Sequence, residues 1–277
     1  MVQTQPPKLL EQVREAMRTR HYSLRTEDTY LGWIKRFILF HGTRHPRAMG
    51  LQEVQPFLSH LAVAGHVAAS TQRQTLSAIL FRYQRVRKQD IGWVHDIVRA
   101  KQPQRLPVVW TQDEVARVLR QLSGVTWIMG TLLYGAGLRL RECLRLRAKD
   151  LDFSSHQIVV RDGKGQKDRV TMLPQHIKTP LQAHLQDVKQ LHARGLNTGR
   201  GAVYLPNALE RKDPHANRAW MWQYVFPAAQ LSRGPRTGII RRHHIHEQVL
   251  QRAVHVAVRQ AGLSKPATCH TFRHAST

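Results

Sequence analysis

Residues 157–173 have the sequence Gln157-Ile-Val-Val-Arg-Asp-Gly-Lys-Gly-Gln-Lys-Asp-Arg-Val-Thr-Met-Leu173. Two short β-prone runs, Gln157–Val160 and Arg169–Leu173, flank the segment Asp162–Gln166, which contains two glycines. Runs of this composition on either side of a glycine-rich turn are typical of a β-hairpin. The sequence therefore predicts one small sheet here, in a chain whose remaining pattern is mainly helical.

The first hundred residues predict a bundle of short helices. Apolar side chains recur there at helical spacing in three separate runs, and each run gives a helix one apolar stripe. The runs are Tyr30, Ile34, Phe37 and Ile38; Val54, Phe57, Leu58 and Leu61; and Leu76, Ile79, Leu80 and Tyr83. Because each amphipathic helix must bury its stripe against the others, we expect a helical bundle without strands.

A short segment with two prolines separates two predicted domains. Residues 103–109 combine these prolines with little periodicity, which is typical of a linker. We therefore expect one domain over residues 1–102 and a second over residues 110–277. Thr111 and Glu114 have the spacing of a capping box, so the first helix of the second domain should begin there.

The second domain alternates helical segments with the hairpin. Two helices are expected around Gly137, and residues 178–194 return to a helical pattern. Residues from about 198 to 246 are rich in Trp, Pro, Arg and His and show only weak periodicity. The expected fold class is mainly α with a small β-sheet: a helical domain followed by a mixed α/β domain.

Positive charge dominates both halves of the chain. The 277 residues include 43 Lys and Arg against 18 Asp and Glu, a formal net charge of +25. A polyanion neutralises such a surplus, and nucleic acid is the usual one, so we expect the chain to bind DNA. In the first domain, the candidate DNA-contacting cations lie on or just beyond the polar side of the third helix. They are Arg73, Arg82, Arg85, Arg87 and Lys88.

Cysteine usage and apolar run lengths indicate the compartment. Cys143 and Cys269 are too few for a disulfide framework, which favours a reducing compartment. No apolar signal core or membrane-length run is present, so we expect a soluble, intracellular protein without a membrane partner. A zinc site is an alternative interpretation of one group of side chains, but their spacing fits neither a CxxC nor an HxxxH site, and we expect no metal. That group is His243, His244, His246, His255, Cys269 and His270.

Three separated motifs carry a resemblance. They are Gly137-Leu-Arg139-Leu-Arg-Glu142, Gly163-Lys164-Gly165 and His270-Thr-Phe-Arg273-His274. Each alone is common, but in this order and after a helical domain they resemble the tyrosine recombinases of the phage integrase family. The segments Ala219–Pro227, Pro235–Gly238 and Arg241–His244 are also similar to the extra segment that integron integrases carry within their catalytic domain.

The resemblance implies a role for each motif residue. Arg139 and Arg273 would clamp the phosphate under attack, because guanidinium groups stay charged and bind two oxygens at once. His270 would hydrogen-bond the same phosphate, and Lys164 would protonate the departing 5′-oxygen, although Lys167 is close enough to be an alternative. Glu142 and His274 would support this cluster. The reaction conserves bond energy, so the resemblance implies neither a cofactor nor a metal.

The extra segment suggests contacts with unpaired bases. Integron integrases act on cassette sites folded as single-stranded hairpins, and a protruding base stacks on a flat side chain. Trp222, Pro235, His243 and His244 are the matching candidates, with Trp220 as an alternate. The simpler interpretation, in which both tryptophans are core residues, remains open.

The family pattern also requires a nucleophilic tyrosine after a further helix beyond His270-Thr-Phe-Arg273-His274. The last residue of the sequence is Thr277, and its six tyrosines all lie upstream of this motif. We therefore expect a chain that stops before its nucleophile and does not cleave DNA by itself.

The function that the resemblance implies is site-specific recombination of mobile gene cassettes by an integron integrase. A homo-tetramer would act on two DNA sites, a double-stranded integration site and a folded single-stranded cassette hairpin. Each protomer would grip DNA as a C-shaped clamp made of its core-binding and catalytic domains, in the bacterial cytoplasm at the nucleoid. Two alternatives remain: a DNA-binding remnant without catalysis, and a general tyrosine recombinase or type IB topoisomerase-like enzyme.

Overall fold

The structure, a computed structural model, describes residues 8–44, 48–92, 97–102, 108–161, 167–206, 209–265 and 267–275. The chain divides into two compact units, Met1–Arg105 and Leu106–Thr277. As expected, the fold is mostly helical with small sheets. No helix in the described ranges combines the length and apolar character needed to cross a membrane.

The first unit is a helical bundle. Its helices are α1 (Leu9–Thr19), α2 (Leu24–Phe40), α3 (Leu51–Val63) and α4 (Ala69–Phe81), and α4 continues as a π-helical turn over Arg82–Val86. The three predicted apolar stripes lie in α2, α3 and α4 with its π-helical turn, and most of their members are buried in the shared core. Helix α1 completes the bundle and was not predicted.

Two buried polar side chains tie the first unit together. Gln72 on α4 donates from Nε2 to the carbonyl oxygens of Leu58 (2.9 Å) and Val98 (2.8 Å) and accepts from the backbone N–H of Ala100. The hydroxyl of Tyr83 donates to the carbonyl oxygen of Met49 at 2.7 Å. A buried polar group that is fully hydrogen-bonded fixes one arrangement of the backbone around it.

Arg82 corrects one prediction. Its side chain is completely buried, with the guanidinium 4.3 Å from the ring centroid of Tyr83. Burial also lowers the pKa of Arg82 from its ordinary value. Arg82 follows Ala78 by four residues and Ile79 by three, and both are fully buried, so helical geometry turns it toward the core. The prediction that it lies on the polar side is wrong, and Arg82 is not a DNA-contact candidate.

The second unit packs helices around two small antiparallel sheets. Its helices are α5 (Gln112–Arg120), α6 (Gly124–Gly135), α7 (Leu140–Arg145), α8 (Lys178–Asn197), α9 (Leu209–Lys212), α10 (Glu247–Gln260) and α11 (Cys269–His274). One sheet has the order β1 (Leu151–Asp152), β2 (Gln157–Val160) and β3 (Arg169–Met172). The other pairs β4 (Pro227–Arg233) with β5 (Ile240–His244).

The predicted hairpin strands are confirmed as β2 and β3. Val160 pairs with Arg169 at the end nearest the turn, and Gln157 pairs with Met172 at the other end. The turn itself, residues 162–166, lies outside the described residues. The predicted capping box is also confirmed, because Thr111 and Glu114 exchange side-chain to backbone hydrogen bonds of 2.9 and 3.2 Å at the start of α5.

The pair β4–β5 was not predicted from the weakly periodic segment. Both strands are largely exposed, so they lack the alternation of apolar and polar residues that marks a half-buried strand. The buried side chain on β5 is Arg241, which forms an ion pair with Glu210 of α9. A strand that buries an arginine gives no apolar signal in the sequence.

Helix α6 forms the centre of the second unit. Its residues Ile128 to Leu133 are buried in one continuous core with α10, α11 and the inner face of β2. At Gly130 an added Cβ would lie 2.8 Å from the side chain of Leu122, which would have to shift, and in ordinary contact with Phe272 at 3.9 Å.

Candidate functional site

Arg139 lies at the N-terminus of α7, after a turn made by Gly137 at φ 59°. A positive φ of this kind favours glycine, so the turn requires that residue type. The backbone N–H of Arg139 donates to Oε2 of Glu142 at 2.8 Å, and its Nη1 donates to Oε1 at 2.6 Å. Glu142 therefore caps the start of α7 and holds both the backbone and the guanidinium of Arg139, which accords with the supporting role that the resemblance implies for it.

A second guanidinium, from Arg169 on β3, also contacts Glu142. Its Nη1 donates to Oε1 at 2.9 Å and its Nη2 donates to Oε2 at 2.7 Å. Burial opposes ionisation of Glu142, but the hydrogen bonds from Arg169 and Arg139 outweigh it and lower the pKa to about 2. The carboxylate is therefore ionised at neutral pH.

Arg169 was missed from the sequence, although the strand carries a signal. Arg169 and Thr171 are half-buried, while Val170 and Met172 are exposed, so the polar members of the strand face inward. The hydroxyl of Thr171 donates to the carbonyl oxygen of Ala136, which fixes β3 beside the loop that leads to Arg139. A strand that turns its polar residues inward borders a polar site rather than an apolar core.

The third guanidinium, from Arg273, comes from α11. Thr268 caps this helix by accepting from the backbone N–H of His270 at 3.2 Å. Phe272 is fully buried and contacts Trp110 edge to face at 5.0 Å, which anchors the helix. Burial, the positive charge of Arg139 and that of Arg169 lower the pKa of Arg273, whereas Glu142 raises it. Arg273 therefore lies within range of the other three charges.

The predicted catalytic set is thus brought together in part. Arg139, Glu142 and Arg273 share one site, and His270 and His274 are exposed on the same short helix as Arg273. Lys164 lies outside the described residues, and Lys167 is exposed just before β3. No group of three or more His, Cys, Asp or Glu side chains suitable for a metal ion occurs in the part of the chain that the structure describes.

Ion pairs hold the base of the hairpin on both strands. Arg161, directly after β2, donates from Nε to Oδ1 of Asp150 at 2.9 Å. Its Nη1 also lies 3.4 Å from Oδ2 of Asp168, on the opposite side of the hairpin. With Arg169 held by Glu142, both ends of the turn segment are fixed to the framework that carries Arg139.

A second cluster gathers around Tyr224, which is buried. The ring centroids of His243 and His244 each lie 5.4 Å from that of Tyr224 and 4.3 Å from each other. The guanidinium of Arg147 lies 3.6 Å from the Tyr224 centroid and donates from Nη1 to the carbonyl oxygen of Trp222 at 2.7 Å. The extra segment therefore brings three predicted base-contact residues to one place.

Trp222 is half-buried, and one face of its ring is occupied. The ammonium of Lys149 lies 3.2 Å from the ring centroid, a cation–π contact. Burial, and then the charge of Arg161, lower the pKa of Lys149. Trp222 also packs against the small core around Tyr224, so the structure supports both interpretations of this tryptophan in part.

The two histidines differ in their surroundings. His244 is hydrogen-bonded from Nδ1 to the carbonyl oxygen of Ile245, and burial, His243 and Arg145 lower its pKa to about 4. The ring of His243 is largely exposed, and partial burial and then Arg147 lower its pKa as well. Both rings are therefore neutral and flat at neutral pH.

The remaining candidates are not part of either cluster. Pro235 is exposed in the turn between β4 and β5, and Trp220 is half-buried near the ring of His192. In the first unit Arg73, Arg85 and Lys88 are exposed and Arg87 is half-buried.

Arg139 and Arg169 both bind the carboxylate of Glu142, and Arg273 interacts electrostatically with all three, so these three guanidinium groups outnumber the one carboxylate they share. Residues 9–93 match the family described as "Phage integrase, N-terminal SAM-like domain", and residues 109–277 match "Phage integrase family". The chain belongs to the phage integrase family, whose members are site-specific tyrosine recombinases.

Sequence relatives support this assignment. The chain is 48% identical over 267 residues to an integrase/recombinase of Escherichia coli, covering 96% of this chain and 79% of that protein. A tyrosine recombinase XerC of Lactobacillus delbrueckii subsp. bulgaricus is 30% identical over 183 residues, covering 63% of this chain and 61% of the relative.

Solved structures show the same fold. XerH recombinase bound to a palindromic difH substrate matches with a TM-score of 0.60 at 17% identity, covering 96% of this chain and 72% of that one. A λ integrase tetramer bound to a Holliday junction matches with a TM-score of 0.58 at 14% identity, covering 97% and 68%.

Proposed function

We propose that this protein is an integron-type integrase that recognises DNA for the exchange of mobile gene cassettes. The observation that carries the proposal is the single carboxylate of Glu142 bound by Arg139 and Arg169, with the charge of Arg273 in electrostatic range. One carboxylate leaves a surplus of positive charge among three arginines. A DNA phosphate supplies the missing negative charge. The surplus positive charge stabilises the phosphate most in the transition state, where the phosphate gains negative charge.

In the proposed chemistry a tyrosine hydroxyl gives up its proton to solvent and attacks the phosphorus of a DNA phosphodiester. A 3′-phosphotyrosine bond forms, the bond to the 5′-oxygen breaks, and that oxygen leaves as a hydroxyl. Arg139 and Arg273 bind the non-bridging oxygens, His270 hydrogen-bonds one of them, and Lys164 donates the proton to the 5′-oxygen. A 5′-hydroxyl of another strand reverses these steps and joins the strands.

The described tyrosines of the second unit are engaged in packing or lie apart from the motif residues in sequence. Tyr134 packs against the central core, and Tyr224 is buried beneath Arg147. Tyr204 is about half exposed, and its carbonyl oxygen accepts from Arg147. We propose none of them as the nucleophile.

The cluster around Tyr224 supports the cassette-hairpin part of the proposal. It offers neutral, flat rings from His243 and His244 beside the indole of Trp222, with the exposed Arg145 near them. Flat neutral rings stack on unpaired bases, and an adjacent exposed cation binds the backbone of the same strand. Assembly of four protomers on two sites, in the bacterial cytoplasm at the nucleoid, is part of the same proposal.

Binding to two forms of one DNA stem tests this proposal. One form is a folded single strand with bases protruding from its stem, and the other is the perfectly paired duplex. We expect tighter binding of the hairpin by the unmodified chain, and a loss of that preference when both His243 and His244 are replaced by Ala. Equal affinity for the two forms would leave a general tyrosine recombinase, and no affinity for either would contradict DNA recognition.

A further inference from the structure

The carboxylate of Glu142 accepts four hydrogen bonds, one from the backbone of Arg139, one from its side chain and two from Arg169. The side chain of Glu142 is only 7% exposed, whereas those of Arg139 and Arg169 are 33% and 34% exposed. A carboxylate accepts about four hydrogen bonds, so Glu142 is saturated and has no capacity left for another donor.

The two arginines donate different numbers of side-chain hydrogen bonds to Glu142. Arg169 binds Glu142 with both arms of its guanidinium, so its planar fork faces the acid. Arg139 uses a single side-chain nitrogen, Nη1, and among the described residues its Nε and Nη2 have no hydrogen-bond partner. The donors that remain on Arg139 are therefore available for an anion.

From this geometry we infer that Arg169 is a positioning residue for the reaction: it locks Glu142 in place, and Glu142 in turn sets the direction of the Arg139 guanidinium. The inference rests on the proposed function of Arg139 as a phosphate clamp. Arg169 does not need to touch the DNA for this role. Nothing in the three sequence motifs pointed to it.

Charge gives Arg169 a second effect on the same pair. With Arg139 alone, the buried carboxylate would form a one-to-one ion pair and would neutralise the guanidinium that must bind phosphate. Arg169 supplies the counter-charge for Glu142, which leaves the pair with a net positive charge. A forked contact also restricts Glu142 to one rotamer, so Arg139 is oriented before the phosphate arrives.

The location of Arg169 also links Arg139 to the hairpin. Arg169 is the first residue of β3, directly after the segment that carries Lys164 and Lys167. Arg161 holds the other strand of the hairpin through Asp150 and lies apart from Glu142. It therefore provides a matched control, since it is an arginine at the same level of the hairpin that pairs with a different acid.

The test compares Arg169→Lys with Arg161→Lys in the full chain, using arginine labelled with nitrogen-15. Inorganic phosphate is the probe, and binding is read from the Nε–Hε NMR signals of Arg139 and Arg273. Lysine keeps the charge but loses the fork. We expect Arg169→Lys to weaken phosphate binding at Arg139 at least about threefold, the lower range for residues that share one network. Arg161→Lys should leave it unchanged.

Two further measurements separate positioning from a general effect on folding. In the unmodified chain, rotation of the Arg139 guanidinium should be slow, giving separate Nη signals, and Arg169→Lys should make it fast. In Arg169→Gln, the pKa of Glu142 measured by carbon-13 NMR should rise from about 2 toward its ordinary value. Neither readout depends on DNA or on turnover.

Each outcome decides between the inference and the function on which it rests. Phosphate binding that survives Arg139→Lys without change would contradict the proposed clamp itself. Loss of binding in Arg139→Lys but not in Arg169→Lys would overturn the role of Arg169 alone. Equal losses in Arg169→Lys and Arg161→Lys, or free rotation of Arg139 in the unmodified chain, would also overturn it.

Discussion

Replacement of Trp222 by Ala should remove part of the preference for a hairpin with protruding bases over the paired duplex. Stacking of one base on an aromatic ring contributes about 1–3 kcal/mol. In the structure, however, the ammonium of Lys149 lies 3.2 Å from the ring centroid and must leave before a base can occupy that face. A cation–π contact of this kind contributes about 0.5–2 kcal/mol and offsets part of the gain.

The expected net loss is therefore about 1 kcal/mol, or about fivefold in the ratio of hairpin to duplex affinity. The reverse variant should act in the opposite direction. Lys149→Ala uncovers the ring, so the ratio should rise, although the loss of a positive charge weakens binding to both DNAs. The ratio separates these effects because both DNAs carry the same phosphates along the stem.

The assay is a pair of fluorescence anisotropy titrations at one salt concentration, with thermal unfolding measured in parallel. Trp220→Ala is the matched control, because Trp220 is also half-buried but does not hold Lys149. It should leave the affinity ratio unchanged. If Trp222→Ala weakens both DNAs equally and also lowers the melting temperature, then Trp222 is a core residue and the stacking argument is wrong.

Two other predictions concern the whole chain and one histidine. If about six phosphates are contacted, the logarithm of affinity should fall with the logarithm of salt concentration with a slope of about −4 to −5, and a flat response would show that the positive surplus does not meet phosphate. Because the folded state holds the pKa of His244 at about 4, below the ordinary 6.5, the unfolded chain takes up the proton first as pH falls. Stability should be complete above about pH 6.5 and should decrease by up to about 3 kcal/mol as the pH falls to about 4. Melting temperatures across this range should show a smaller decrease in His244→Asn, and an identical slope in both proteins would contradict the assignment.

Local pattern was sufficient to predict most of the framework of the fold. Strands β2 and β3 have the predicted positions to within a residue, and Thr111 begins α5 as its capping box indicates. These features depend on neighbours in sequence, so a single chain carries the information. The pairing of Arg139 with Glu142 is also local, because the two residues are three positions apart at the start of one helix.

Features that depend on distant partners were missed. The alternation of β3 leaves open which of its faces is turned inward, and the contact of Arg169 with Glu142, 27 residues earlier in the chain, shows that it is the polar face. Arg82 looks like a surface cation by residue type, and only the burial of Ala78 and Ile79 on the same side shows otherwise. Pairing of β4 with β5 depends on an arginine that is buried by an ion pair, and amphipathic periodicity does not detect such a strand.

The saturated carboxylate of Glu142 also limits where acid–base behaviour can arise at this site. With a pKa of about 2, this carboxylate holds the same charge from mildly acidic to alkaline solution, and arginine does not deprotonate in that range either. The contribution of Glu142 and its arginines to the electrostatic potential is therefore constant across the physiological range. Under the proposed function, a pH dependence of phosphate binding or strand cleavage must then come from other groups, with His270 and Lys164 as the first to examine.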